Sequence, residues 1–132
     1  MSGGGGGAAR GAARRVLVIE DDADARTLMA QVLRIEGYEV AAAANGREAL
    51  ELLRPPASPP AVILIDLMMP EMNGLEFRSA QLGDPRLAAI PLLVISGDRL
   101  LDQQAAAVGA AGWLRKPIEL DALLAAVHRH AP

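Results

Sequence analysis

Two hydrophobic periods alternate along the chain. Unbroken aliphatic runs occur at Val16–Ile19, Val62–Ile65 and Leu92–Ile95, with shorter runs at Tyr38–Val40 and Gly112–Arg115. Between them lie stretches of helical spacing. Leu28, Val32 and Ile35 recur at i, i+4, i+7, with Met29 and Leu33 beside them. Leu120, Leu123, Leu124 and Val127 recur at i, i+3, i+4, i+7. Punctuation agrees with this reading. Gly37 follows the first helical stretch, Asn45 precedes Glu48 at capping-box spacing, and Asp98 is placed to cap the fourth helix. Val108-Gly109-Ala-Ala-Gly112 reads as a helix stop. Four prolines at positions 55, 56, 59 and 60 make that segment a loop. Three of the strand runs are apolar at odd and even positions alike, as parallel strands covered on both faces must be. Five βα units of this kind predict a doubly wound α/β sandwich with five helices. Their strand order stays open at this level.

The length of 132 residues is that of one domain, without room for a second, catalytic or output, unit. Residues 1–14 are Gly/Ala/Arg-rich and read as a flexible tail; 15–130 form the folded unit. An arm for nucleic acid or an acidic partner is the alternative reading of the tail. Three of the thirteen bases lie in the first fifteen residues, which hold no acid, so ten bases face sixteen acids in the rest. An acidic body with one Phe, one Trp and one Tyr argues against nucleic-acid binding. The absence of Cys excludes disulfides, thiolate chemistry and Cys-based metal centres. No apolar run approaches a membrane span, and no signal-peptide pattern precedes the fold. The expectation is a soluble cytoplasmic protein.

Chemistry collects at the strand ends. Glu20 and Asp21 follow the first run, Asp66 the third, Ser96 the fourth and Lys116 the fifth. Ligands of open parallel sheets bind outside the carboxyl ends of the strands. Clustered carboxylates repel unless a cation intervenes. An oxygen-only donor set suits Mg²⁺ or Mn²⁺, and a divalent cation beside an ammonium is prepared for a phosphoryl group. Lys116 is the only Lys against twelve Arg, which suggests that a compact point charge is needed there.

These residues together resemble a known family. Val16-Leu-Val-Ile-Glu20-Asp21-Asp22, Asp66-Leu-Met-Met-Pro70-Glu-Met-Asn-Gly74, Val94-Ile-Ser96-Gly97 and Lys116-Pro117 are similar to the receiver domain of two-component response regulators, in order and in spacing. The resemblance implies a flavodoxin-like sheet of order 2-1-3-4-5. Asp66 would be the phosphoacceptor, taking its phosphoryl group from a histidine kinase or a histidine phosphotransfer protein. Mg²⁺ (or Mn²⁺) would be held by Asp21, Asp66, the backbone carbonyl of Met68 and, through water, Glu20. Lys116 and Ser96 would bind the phosphoryl group, and Ser96 and Trp113 would form the switch. Glu20 stands where Asp is common, and Trp113 where Tyr or Phe is usual. The signal would leave through a face made by helix 4, strand 5 and helix 5 to a separate output protein, and a homodimer is compatible with the family. Such a domain is a signalling device, not a turnover enzyme. The alternative is a protein-binding or dimerisation module that works without phosphorylation. A phosphohydrolase of Asp-x-Asp type is disfavoured because Met68 stands where the second Asp would act.

Overall fold

A computed structural model describes residues 14–67 and 74–131. The elements alternate strictly: β1 (Arg15–Ile19), α1 (Ala23–Ile35), β2 (Glu39–Ala43), α2 (Gly46–Leu52), β3 (Val62–Asp66), α3 (Gly74–Leu82), β4 (Leu92–Ser96), α4 (Leu101–Ala107), β5 (Gly112–Arg115) and α5 (Leu120–His130). The five strands are parallel, in the order β2-β1-β3-β4-β5. The flavodoxin-like α/β sandwich expected from the sequence is the fold observed.

Side-chain alternation builds two cores, one on each face of the sheet. Leu17, Ile19, Ile63, Ile65, Leu92 and Val94 point toward α2, α3 and α4, where Ala49, Phe77, Leu101 and Ala105 meet them. Val16, Val18, Val62, Leu64, Leu93 and Ile95 point the other way, onto Met29 and Leu33 of α1 and Leu123 and Val127 of α5. Every residue of β3 and β4 is buried, which is why these runs carry no polar alternation.

The helix ends follow the sequence signals closely. Asn45 Oδ1 accepts from the Glu48 N–H (2.9 Å), and Glu48 Oε1 accepts from the Ala44 N–H (2.9 Å), one residue before the usual partner of a capping box. Gly37 (φ +98°) ends α1 with the paired bonds Gly37 N–H to Arg34 O and Tyr38 N–H to Leu33 O. Gly109 ends α4 in the same way.

Some expectations shift. The helix predicted from Leu28, Val32 and Ile35 forms, but Leu28 and Ile35 are 50% and 82% exposed and Val32 is half-buried, while Met29, Ala30 and Leu33 are buried. The apolar arc of α1 is wider than the sheet can cover. Strand β2 starts later than the Tyr38–Val40 run and continues through three Ala residues, because its register against β1 outweighs the poor strand propensity of Ala. Asp98 does not cap α4. Its Oδ1 accepts from the Leu100 N–H (2.8 Å) in the preceding turn, and Leu100 itself is the N-cap. Arg14, assigned to the tail, is instead fixed to the end of α1. It donates to Glu36 O (2.9 Å) and Gly37 O (3.4 Å) and stacks 4.4 Å from the Tyr38 ring centre. Residues 1–13 of the expected tail, and Met68 with its carbonyl, lie outside the described residues.

Candidate functional site

Parallel pairing brings all five strand ends to one edge of the sheet. Ile19 is level with Ile65, so Glu20 and Asp66 emerge side by side from β1 and β3. The Glu20 N–H still donates to Ala43 O (3.0 Å), extending the ladder by one residue. On the other side, the Lys116 N–H donates to Ser96 O (2.9 Å), which anchors the residue after β5 against the end of β4. The Lys116–Pro117 peptide bond is cis. From there the lysine side chain spans β4, and its Nζ stands 2.9 Å from both Asp66 Oδ2 and Glu20 Oε1. The sequence-predicted trio of Glu20, Asp66 and Lys116 is therefore a contact cluster.

Glu20 and Asp66 are buried, whereas Asp21 is exposed. One carboxylate oxygen from each of the three lies within 4.8 Å of the others. The two Glu20 oxygens differ. Oε2 accepts from the Asp22 N–H (3.1 Å), while buried Oε1 faces the ammonium without an aligned hydrogen bond. A set of three carboxylates offering oxygen alone suits a small, hard divalent cation. Burial pushes the Glu20 carboxyl up to about 7, against the pull of the Lys116 ammonium and the Asp22 N–H; the charge of Asp66 adds to the rise. For Lys116, partial burial works against the charged form, but the close contacts and charges of Glu20 and Asp66 outweigh it and raise its pKa.

Ser96 ends β4 one residue beyond the strand partner of Asp66, and it is buried. Its Oγ accepts from the Asp98 N–H (3.0 Å), which leaves the hydroxyl proton available to another acceptor. Trp113 is not part of the cluster. It lies on β5, 53% exposed, paired with Val94. Asp22 caps α1 through the Ala25 N–H (2.8 Å) and is exposed.

Two arginines that the sequence reading passed over flank the site. Arg115 Nη1 donates to Asp98 O (2.7 Å) in the loop that follows Ser96. Arg26 Nη1 donates to Glu20 O (2.8 Å) and reaches Asp21 O (3.4 Å). The available sequence signal was the oddity of a cation near the start of a helix, where the dipole disfavours it.

Comparison with known proteins agrees with this geometry. Residues 16–128 match the family model of the response regulator receiver domain. The transcriptional regulatory protein PdtaR of Mycobacterium tuberculosis is 34% identical over 128 residues, covering 96% of this chain and 61% of that protein. This chain thus spans about three-fifths of that relative. Sporulation initiation phosphotransferase F of Bacillus subtilis is 28% identical, with 89% of this chain and 93% of that protein covered. Among solved structures, the chemotaxis response regulator CheY4 of Vibrio cholerae superposes with a TM-score of 0.79 at 35% identity, over 87% of this chain and 96% of that one. With its sheet order, its strand-end cluster and these matches in agreement, the chain belongs to the response regulator receiver domain family.

Proposed function

We propose that Asp66 accepts a phosphoryl group from a phosphohistidine donor, a histidine kinase or a histidine phosphotransfer protein, in a reaction that needs Mg²⁺ or Mn²⁺. The observation that carries this reading is the Lys116 ammonium held 2.9 Å from both Glu20 and Asp66 at the carboxyl ends of the strands. An Asp66 carboxylate oxygen forms the new bond to phosphorus. The P–N bond of the donor breaks, and its electron pair stays on the imidazole. Asp21, Asp66, the Met68 carbonyl and, through water, Glu20 are the proposed cation ligands. When bound, the cation supplies charge neutralisation for the phosphoryl oxygens. Lys116 then exchanges its carboxylate partner for a phosphoryl oxygen. Ser96 gives its hydroxyl proton to another while its Oγ keeps the Asp98 N–H. Transfers of this kind depend on positioning and charge more than on covalent help.

An apolar cavity of about 330 Å³ opens beside Lys116, lined by Leu28, Met29, Ile118 and Leu120 among others. It offers a docking surface to the donor next to the acceptor. The phosphorylated state is read by a partner protein on the face of α4, β5 and α5, where Trp113 is exposed.

The test is incubation of the protein with Mg²⁺ and acetyl phosphate, followed by intact mass and Trp113 fluorescence. A gain of one phosphoryl group, absent without Mg²⁺ and absent in a folded Asp66→Asn variant, is the expected result. Labelling that survives in Asp66→Asn moves the acceptor elsewhere. No labelling of the wild type favours a protein-binding module that works without phosphorylation.

A further inference from the structure

Arg26 lies four residues past the Asp22 cap of α1, close to the positive end of the helix dipole, which disfavours a cation there. The carboxylate cluster attracts its charge, whereas a divalent cation bound by that cluster would be repelled by it. The structure shows where its side chain is held. Its Nη1 is committed to main-chain oxygens, Glu20 O at 2.8 Å and Asp21 O at 3.4 Å, and these are the carbonyls of two residues whose side chains form the cluster.

The loop is secured from the other directions by different means. The Glu20 N–H is held by Ala43 O, and Glu20 Oε2 by the Asp22 N–H. Asp22 is held to α1 through the Ala25 N–H and through its carbonyl, which accepts from the Arg26 N–H. Beyond Glu20 the chain has left the β1 ladder, and the Arg26 side chain is what ties the Asp21 carbonyl to the helix. Rotation of these peptides would turn the Asp21 carboxylate away from Asp66.

We infer that Arg26 is a positioning residue for divalent-cation binding: it clamps the Glu20 and Asp21 carbonyls so that the carboxylates converge. The inference rests on the cation role proposed above for Glu20 and Asp21. It assigns Arg26 a geometric task that outweighs its unfavourable charge. Outer-shell partners of metal ligands typically matter by about 10-fold or more in affinity. Lysine keeps the charge but is shorter and lacks the planar fork.

The test is direct titration of the whole chain with MgCl₂ by calorimetry, with no phosphodonor present. Wild type is compared with Arg26→Lys and Arg26→Gln at low and high salt. Arg26 is only partly buried, so both variants are expected to fold, which circular dichroism checks. Clamping predicts weaker Mg²⁺ binding in both variants, several-fold in Arg26→Lys and about 10-fold in Arg26→Gln. The Arg26→Gln deficit grows at high salt, where the relief of repulsion is screened and only the lost geometry remains. Faster hydrogen exchange at the Asp21 and Asp22 amides in both variants, measured without Mg²⁺, is expected as well. Arg26→Lys that binds like wild type, with Arg26→Gln binding more tightly, overturns the inference and leaves Arg26 as a charge only. A wild type that does not bind Mg²⁺ overturns the cation reading itself, a distinguishable failure.

Discussion

Gln81 sits in the last turn of α3 with no exposed surface, and it organises the chain that leads into β4. Its Nε2 donates to Leu87 O and to Ile90 O, both at 3.0 Å, and its Oε1 accepts from Arg78 Nη1 at 2.8 Å. Replacing it with Leu keeps the volume roughly constant and removes all three bonds. Leu87 O retains the Ile90 N–H (3.1 Å), so its loss is moderate. Ile90 O loses the amide donor inside the core. A stranded buried carbonyl costs about 1–3 kcal/mol, and each of the other two lost bonds about 0.5–1.5 kcal/mol. The extra apolar surface of Leu returns roughly 1–2 kcal/mol. The net expectation is a loss of about 1–4 kcal/mol, centred on about 2.5, enough to lower the melting temperature by about 10 °C in a domain of this size. Urea unfolding followed by far-ultraviolet circular dichroism measures it, with an unchanged slope against denaturant. A loss below about 0.5 kcal/mol, the range of ordinary surface changes, would refute the reasoning and mean that water or a rearranged loop satisfies Ile90 O.

Other consequences follow from neighbouring contacts. Arg78 also donates to Val108 O (2.8 Å) and Gly109 O (2.9 Å), so Arg78→Ala should destabilise by about 1–2 kcal/mol. A double-mutant cycle with Gln81→Leu should be non-additive by at least about 0.5 kcal/mol, because the two residues share a bond; additivity would argue against the network. Gly74→Ala should destabilise by about 1–3 kcal/mol through overpacking, since the new Cβ would meet Leu67 Cδ2 and stand 2.8 Å from Leu67 Cα. Helix propensity alone predicts the opposite sign, a gain of about 1 kcal/mol, so urea unfolding separates the two effects. In EDTA, the stability of the wild type should fall as pH rises from 4.5 toward 7. Glu20 holds its proton in the folded state up to about 7, while the unfolded chain releases it near 4.5. Glu20→Gln should flatten that slope, and an equal slope in the two proteins would exclude Glu20 as its source.

The sheet was legible because three of its five strands are continuous aliphatic runs, and the order of polar residues at the strand ends was legible because each stands directly after its run. Glu20, Asp66 and Lys116 needed no packing detail to be found. Asp98 was misread because local signals cannot count turn residues, and the spacing that revealed α1 does not say which of its apolar residues the sheet will cover. Gln81 was missed for a different reason. A polar residue at a core position looks like a surface residue in a sequence, and only the backbone carbonyls of a distant loop reveal its task. Trp113 shows the limit from the other side, since its place three residues before Lys116 does not say which way β5 turns it.

The skew of twelve Arg to one Lys has a physical explanation in the described residues. Arg14, Arg15, Arg26, Arg34, Arg78, Arg86 and Arg115 each donate to one or more main-chain carbonyls, at helix ends, in loops and, for Arg34, on β2. Several of them span two carbonyls of successive or neighbouring residues. A planar fork of five donors on a long stem does this at lower cost in side-chain freedom than an ammonium, which is more strongly hydrated and has tetrahedral donors. The same comparison runs in reverse at the strand ends. There the partners are two carboxylate oxygens, each 2.9 Å from one nitrogen, and in the proposed transfer the cation yields one of them for a phosphoryl oxygen. A point charge can pivot between acceptors without breaking a bidentate plane, whereas a guanidinium in that space would lock to one carboxylate. Arg thus stands where backbone is held still, and the single Lys stands where the proposed transfer needs a charge to change partners.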